Sequence, residues 1–142
     1  MGLHGAPKTS GASGIHIYVP LPLRTSEESA RLMAQLIATR VNQAHPKETT
    51  IERSVKARPT DSVYVDFLQN IIGKTVAGVY AARAVDGGHV STPLEWDELT
   101  DSLTPSLFTI ATLPERLAER GDIWATHMAR RNTAAALRKL TG

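Results

Sequence analysis

The sequence predicts an α+β fold, a mixed or antiparallel sheet with flanking helices. Strand patterning of period two occurs near the N-terminus and returns in a cluster of segments mid-chain. Helical patterning lies after the first strand and again over the C-terminal third. A doubly wound parallel sheet would instead alternate strand and helix throughout. With 142 residues, the chain reads as one domain over residues 1–142, or a large piece of one, able to bury a core.

The first strand is carried by Ile15, Ile17 and Val19 alternating with His16 and Tyr18, and Pro20 and Pro22 end it. "RTSEESARLMAQLIATRVNQAH" follows as a helix. Thr25 with Glu28 fits a capping box, Ala30, Met33, Ile37, Val41 and Ala44 share one face, and Pro46 closes it. A short strand around residues 49–53 precedes the polar connection "SVKARPTDS". In "VYVDFLQN" Val63, Val65 and Phe67 face one way and Tyr64, Asp66 and Leu68 the other, the plainest strand pattern of the chain. A turn at Gly73 leads to a further strand over residues 75–80 in "KTVAGVYAAR", and "VDGGHV" is a turn. "LEWDEL" reads as a short helix and "LFTIATL" as an extended piece. "PERLAERG" reads as a helix with Pro114 at its start and Gly121 at its stop. "DIWATHMARRNTAAALRKL" closes the chain as one amphipathic helix with Trp124, Met128 and Leu137 inward.

Hydrophobic content of 42% and charged content of 21% are those of a globular chain. The absence of cysteine excludes a disulfide framework, a thiolate metal site and a cysteine nucleophile. No apolar run approaches the length of a membrane span and no signal-peptide pattern opens the chain, so a soluble, cytoplasmic protein without a membrane partner is expected. A net charge of +2 argues against a histone-like, purely electrostatic nucleic-acid binder. The charges are nevertheless sorted: Lys47, Arg53, Lys56 and Arg58 form a basic segment. Arg130, Arg131, Arg138 and Lys139 form another, and the acidic run Glu95, Asp97, Glu98, Asp101 lies between.

Two polar residues stand out against this pattern. Asp66 falls mid-strand, where a carboxylate is either solvated at a sheet edge or held rigidly as a metal ligand or general base. His16 is either a hydrogen-bonded structural residue or part of a ligand site. The approach to it, "KTSGASG", favours the site. Glycines let backbone approach a ligand, the amides around Ser10, Gly11, Ser13 and Gly14 can line a phosphate, and Lys8 adds charge. The spacing is not that of a Walker A loop.

"KTSGASGIHIYVPL", "VYVDFLQN", "GKTVAGVYAAR", "STPLEWDEL" and "LPERLAERGDIWA", in this order, resemble the polymerase (primase-like) domain of bacterial DNA ligase D, of the archaeo-eukaryotic primase superfamily. The resemblance runs from Lys8 to about Ala125 and implies part of the primase-polymerase fold. It also implies nucleotidyl transfer onto DNA or RNA ends in non-homologous end joining, through two divalent metals, Mn²⁺ or Mg²⁺. By the same resemblance Ser10 and His16 match the motif for the incoming nucleoside triphosphate, and Arg83 an arginine on that triphosphate. Asp66 matches the third metal-binding, catalytic acid and Gln69 a nucleotide contact. Lys56 or Arg58 takes the place of a further basic residue.

Two departures accompany these matches. Ser13 stands where many members carry lysine, and the family's Asp-x-Asp pair, expected before the glycine-rich loop, has no counterpart, since Glu27 is the first acid of the chain. A single carboxylate does not hold two metals against a triphosphate. The expectation is therefore the C-terminal, nucleotide-binding portion of such a domain, inactive alone and exposing a sheet edge or apolar patch, with DNA ends and a ligase or an acid-bearing chain as partners. The alternatives are half of a split polymerase and a non-catalytic nucleotide- or nucleic-acid-binding module.

Overall fold

β1 (Ala6–Thr9) is where the sheet is built, although neither of its faces alternates: all four residues are buried. It pairs antiparallel with β2 (Ile15–Tyr18), Lys8 opposite His16 and Pro7 opposite Ile17. The computed structural model describes residues 2–139. On the other side of β1 runs the extended segment 90–94. Thr9 N–H donates to the Thr92 carbonyl at 2.9 Å, and Leu94 N–H to that of Pro7 at 3.0 Å. Segment 80–83 adds the next position, with Tyr80 N–H on the Ser91 carbonyl and Ser91 N–H on that of Ala81. A strand with neighbours on both sides and both faces covered carries no period-two signal, and Pro7 and Pro93 in one ladder argue against a strand when read alone. β1 is therefore invisible as a strand in the sequence. Its consequence is that "SGASG" is a hairpin turn between β1 and β2.

The chain gathers into two compact units, Met1–Pro22 with Ala77–Leu137, and Leu23–Val76 with Arg138–Gly142. In the first, β1 packs against α3 (Ile123–Ala129), and the unit also holds α2 (Leu113–Arg120) and α4 (Ala134–Arg138) up to Leu137. Ala6, Val90, Leu94, Phe108, Ile123 and Leu137 form its buried apolar core. Trp124 and Met128 are half-buried; Ile123 and His127 take the inward face of α3. On β2 the alternation is present but its apolar members face outward, Ile15 at 42% and Ile17 at 56% exposure. His16 and Tyr18 share the more buried face, where Tyr18 sets its ring edge-on to Trp124 at 4.8 Å.

In the second unit α1 (Glu27–Ala44) begins as expected but with Ser26, not Thr25, as its cap: Ser29 N–H donates to Ser26 Oγ at 3.2 Å. Glu27 and Glu28 lie in the first turn, where the helix dipole favours them. β3 (Thr49–Thr50) and β4 (Val63–Tyr64) form a parallel pair only two residues long.

Four expectations need correction. The "VYVDFLQN" strand stops at Tyr64, because Leu68 N–H donates to Asp66 Oδ1 at 2.8 Å and turns the chain. Residues 75–80 pair as a ladder only from Tyr80 onward, because a turn at 78–81 precedes it. "LFTIATL" is extended only at 108–110, where Thr109 bridges antiparallel to His89, with Val90 N–H on the Phe108 carbonyl at 2.8 Å and Ile110 N–H on that of Gly88 at 3.0 Å. A 3-10 turn over Pro105–Leu107 leads into it, and after the bridge the Thr109 hydroxyl, accepting from Ala111 and Thr112 N–H, bends the chain into α2. The closing helix is two, α3 and α4. Buried Asn132 breaks it, its backbone N–H and side-chain amide both donating to the Pro20 carbonyl. Leu140, at the end of the expected helix, lies outside the described residues.

Candidate functional site

Ser10 closes the hairpin turn from inside. Its Oγ accepts from the N–H groups of Ala12 and Gly14, both at 3.0 Å, and its own N–H donates to the Gly14 carbonyl at 2.8 Å. Three loop amides, those of Ser10, Ala12 and Gly14, are thus already engaged within the turn, and two of them, Ser10 and Gly14, are among those expected to face a ligand. Gly11 has φ +73°, and a Cβ there would stand 2.5 Å from Arg83 Cγ. The glycine lets the Arg83 stem lie directly under the turn, where Nη1 donates to the Ser10 carbonyl at 3.2 Å.

Lys8 lies beneath the same turn, fully buried. Its Nζ donates to Ser91 Oγ and to the Thr9 carbonyl, while Ser91 Oγ donates to that carbonyl at 2.7 Å. The ammonium therefore holds β1 against segment 90–94, and any effect on a ligand is exerted through the field. Burial, and secondarily the charge of Arg83, push the Lys8 pKa down to about 8. An unfolded lysine titrates near 10.5, so between these values the unfolded chain binds more protons than the folded one. Folding stability should rise with pH from about 8 to 10.5 through this group. Denaturant titrations across that window should show the increment in the wild type and its loss in Lys8→Met.

His16 stands opposite Lys8 on β2, half-buried. Lys8, Ser10, His16 and Arg83 are thus brought into one neighbourhood of the first unit, and neither Lys8 nor Arg83 joins an ion pair among the described residues. A cleft of about 320 Å³ opens on the outer side of the turn, between Ala12, Ser13 and Gly14 and the segment 99–105.

The other sequence-derived residues belong to the second unit. Asp66 is exposed in the turn after β4, with Gln69 Nε2 donating to its Oδ2 at 3.3 Å. Lys56 lies on the 3-10 turn Val55–Ala57. The Arg58 guanidinium stacks 3.5 Å above the Tyr64 ring and donates to the Glu52 and Arg53 carbonyls, holding its own loop. Among the described residues no three His, Asp or Glu side chains converge as a metal cage. The acidic run offers no substitute, because Glu98 accepts both Arg116 nitrogens at 2.7 Å. Burial raises the Glu98 pKa, but the Arg116 and Glu95 N–H bonds and the charges of Arg116 and Arg120 outweigh it and leave it low. One exposed carboxylate does not fit a two-metal centre, and no metal-dependent step follows from these residues.

Sequence reasoning missed Ser91 and Thr92, the buried hydroxyls that fix Lys8 and Thr9. The signal was the polar "ST" inside a run with no alternation. It also missed Tyr80, held at φ +61° with its hydroxyl donating to Asp122 at 2.7 Å. Burial, then the Asp122 bond and charge, push the Tyr80 pKa up to about 12. A non-glycine residue in this region is costly, and here it sits three residues before Arg83, where the chain enters the ladder.

Residues 1–124 match the family model for the LigD primase-polymerase domain. The bifunctional non-homologous end joining protein LigD of Bacillus subtilis is 41% identical over 121 residues, 84% of this chain and 20% of that protein. The multifunctional non-homologous end joining protein LigD of Pseudomonas aeruginosa is 30% identical over 145 residues, 100% of this chain and 17% of that protein. The solved polymerase domain from Mycobacterium tuberculosis ligase D in complex with DNA superposes with a TM-score of 0.79 at 32% identity, over 92% of this chain and 45% of that chain. The chain thus spans about a fifth or less of these LigD proteins. From the hairpin to α2 its motifs and its fold are theirs, and the chain belongs to the LigD primase-polymerase domain family.

Proposed function

We propose that the β1–β2 hairpin binds the phosphates of a nucleoside triphosphate, as the nucleotide-binding portion of a primase-polymerase domain acting on DNA ends in non-homologous end joining. The observation that carries this is the pair of cations, Lys8 and Arg83, set under a glycine-rich turn with no carboxylate paired to either among the described residues. A guanidinium has five N–H donors, and the Ser10 carbonyl takes one. Others remain for phosphate oxygens, with His16 as a further donor and the Lys8 charge supporting from below. In the second unit, taken by itself, Asp66 with Gln69 beside it is the carboxylate offered to Mn²⁺ or Mg²⁺, and Lys56 and Arg58 are basic nucleotide contacts on the loop that Arg58 ties to the Glu52 and Arg53 carbonyls. These residues bind; they do not catalyse. Nucleotidyl transfer requires carboxylates supplied by other residues, of a ligase-linked polypeptide or a separate partner.

Calorimetric titration with GTP and ATP, with and without Mn²⁺, tests this. Saturable binding is expected, weakened about 10- to 100-fold in Arg83→Ala and in His16→Ala, the loss of one or two charge-assisted bonds. No binding at millimolar nucleotide, or unchanged affinity in both variants, overturns the reading.

A further inference from the structure

We infer that the pocket between the N-terminal segment and the α3–α4 break is a binding site for single-stranded nucleic acid, one base stacking on Trp96 and its phosphate held by Arg130 and Arg131. The pocket measures about 460 Å³ and is walled by Gly2 to Gly5, Trp96, Arg130 to Thr133 and Ala136. This is within the range of ligand sites in proteins.

Three features fit it to a flat ring next to an anion. Trp96 is an anchored platform: its indole N–H donates to the Gly5 carbonyl at 2.8 Å, yet 50% of its surface is exposed. The backbone of Gly5 lies against that ring, where a Cβ would stand 3.3 Å from Trp96 Cζ2. Large exposed aromatics held in place are how single-stranded nucleic acid is bound irrespective of sequence, with guanidinium groups tracking the backbone.

The arginines are presented for such a role. Both sit where α3 ends, Arg130 leaving the helix at φ −97°, ψ 100°, and both are exposed. Arg131 Nη1 donates to the Leu21 carbonyl at 3.1 Å, which fixes its direction and leaves the rest of the fork available. Neither arginine joins an ion pair among the described residues, and no Asp or Glu lines the pocket. The wall is rigid: Asn132 accepts from His4 N–H at 2.8 Å and donates to the His4 and Pro20 carbonyls.

This inference deepens the nucleic-acid part of the proposed function and uses none of the hairpin residues, so the two can fail separately. The test is fluorescence titration of Trp124→Phe, in which Trp96 is the sole tryptophan, with a short oligothymidylate. Saturable quenching is expected. In the Arg130→Ala, Arg131→Gln background the affinity should fall at least tenfold, and the salt slope should shrink by roughly 0.7 for each phosphate no longer neutralised. A parallel titration of wild type by oligonucleotide anisotropy, against Trp96→Leu, guards against disturbance from the Trp124 substitution, and melting curves show that each variant folds. Absent quenching with unchanged anisotropy in Trp96→Leu, or affinity and salt slope indifferent to the arginines, overturns the inference. GTP titration of the arginine variant should match wild type, so that loss at the hairpin and loss at this pocket are read apart.

Discussion

Leu94→Ala is expected to destabilise the first unit by about 2–5 kcal/mol. The side chain is fully buried, and its backbone joins two parts of the unit. Its N–H donates to the Pro7 carbonyl at 3.0 Å, and its carbonyl oxygen lies 3.1 Å from His127 Nε2 on α3. Truncation leaves a cavity where β1 and α3 are tied together, and neighbours held in this hydrogen-bonded ladder cannot collapse into it. With a urea slope of about 1–3 kcal/mol per molar, the midpoint should fall by roughly 1 M or more. Leu107→Ala, a leucine 52% exposed, is the comparison and should stay within about 0.5 kcal/mol of wild type. Equal shifts for the two would show that segment 90–94 is not the core of the unit.

Gly11→Ala should remove the hairpin's geometry while leaving the core in place. Alanine at φ +73° carries a left-handed penalty of about 1–2 kcal/mol. Its Cβ would also stand 2.5 Å from Arg83 Cγ, 3.0 Å from Ser91 N and 3.3 Å from the Val90 carbonyl carbon. Two of these atoms are backbone of the central ladder, so Arg83 is what gives way. Displacing it breaks the bond to the Ser10 carbonyl and carries the guanidinium from under the turn. Nucleotide affinity should drop tenfold or more, beyond what the modest stability loss explains. Gly14→Ala separates this from a general dislike of side chains in the loop. A Cβ there meets only Ser10 Oγ, at 3.8 Å, and both stability and affinity should stay close to wild type. Equal losses in both variants would sink the account of Gly11 as the seat of Arg83.

Local chemistry is legible where local chemistry decides. The helix over Glu27–Ala44 is set by its own capping and acidic first turn, and α2 begins beside Pro114 and stops at Gly121, as the sequence indicates. The strand at Ile15–Tyr18 is visible from its alternation. The motifs that resemble the ligase D polymerase domain carry the family, because their order over most of the chain is specific even where each residue type is common.

Long-range pairing decides the rest. β1 hides because a strand buried on both sides loses its alternation, and its lysine and proline read as loop. The outward turn of Ile15 and Ile17 inverts the usual meaning of an apolar stripe. Alternation fixes which residues share a face, but only the packing partners choose which face is covered. Asp66 reads as a strand carboxylate because nothing in the local pattern reveals that its own two oxygens cap the turn that ends the strand. Lys8 reads as a phosphate ligand from its nearness in sequence. Only the tertiary structure shows its ammonium bonded into the ladder through Ser91, 83 positions away along the chain. The sequence by itself determined the family, the helices over Glu27–Ala44 and Leu113–Arg120, and the residue types of the loop. The tertiary structure decided which of those residues are buried, since burial depends on packing between segments far apart in the chain, and local pattern carries no record of it.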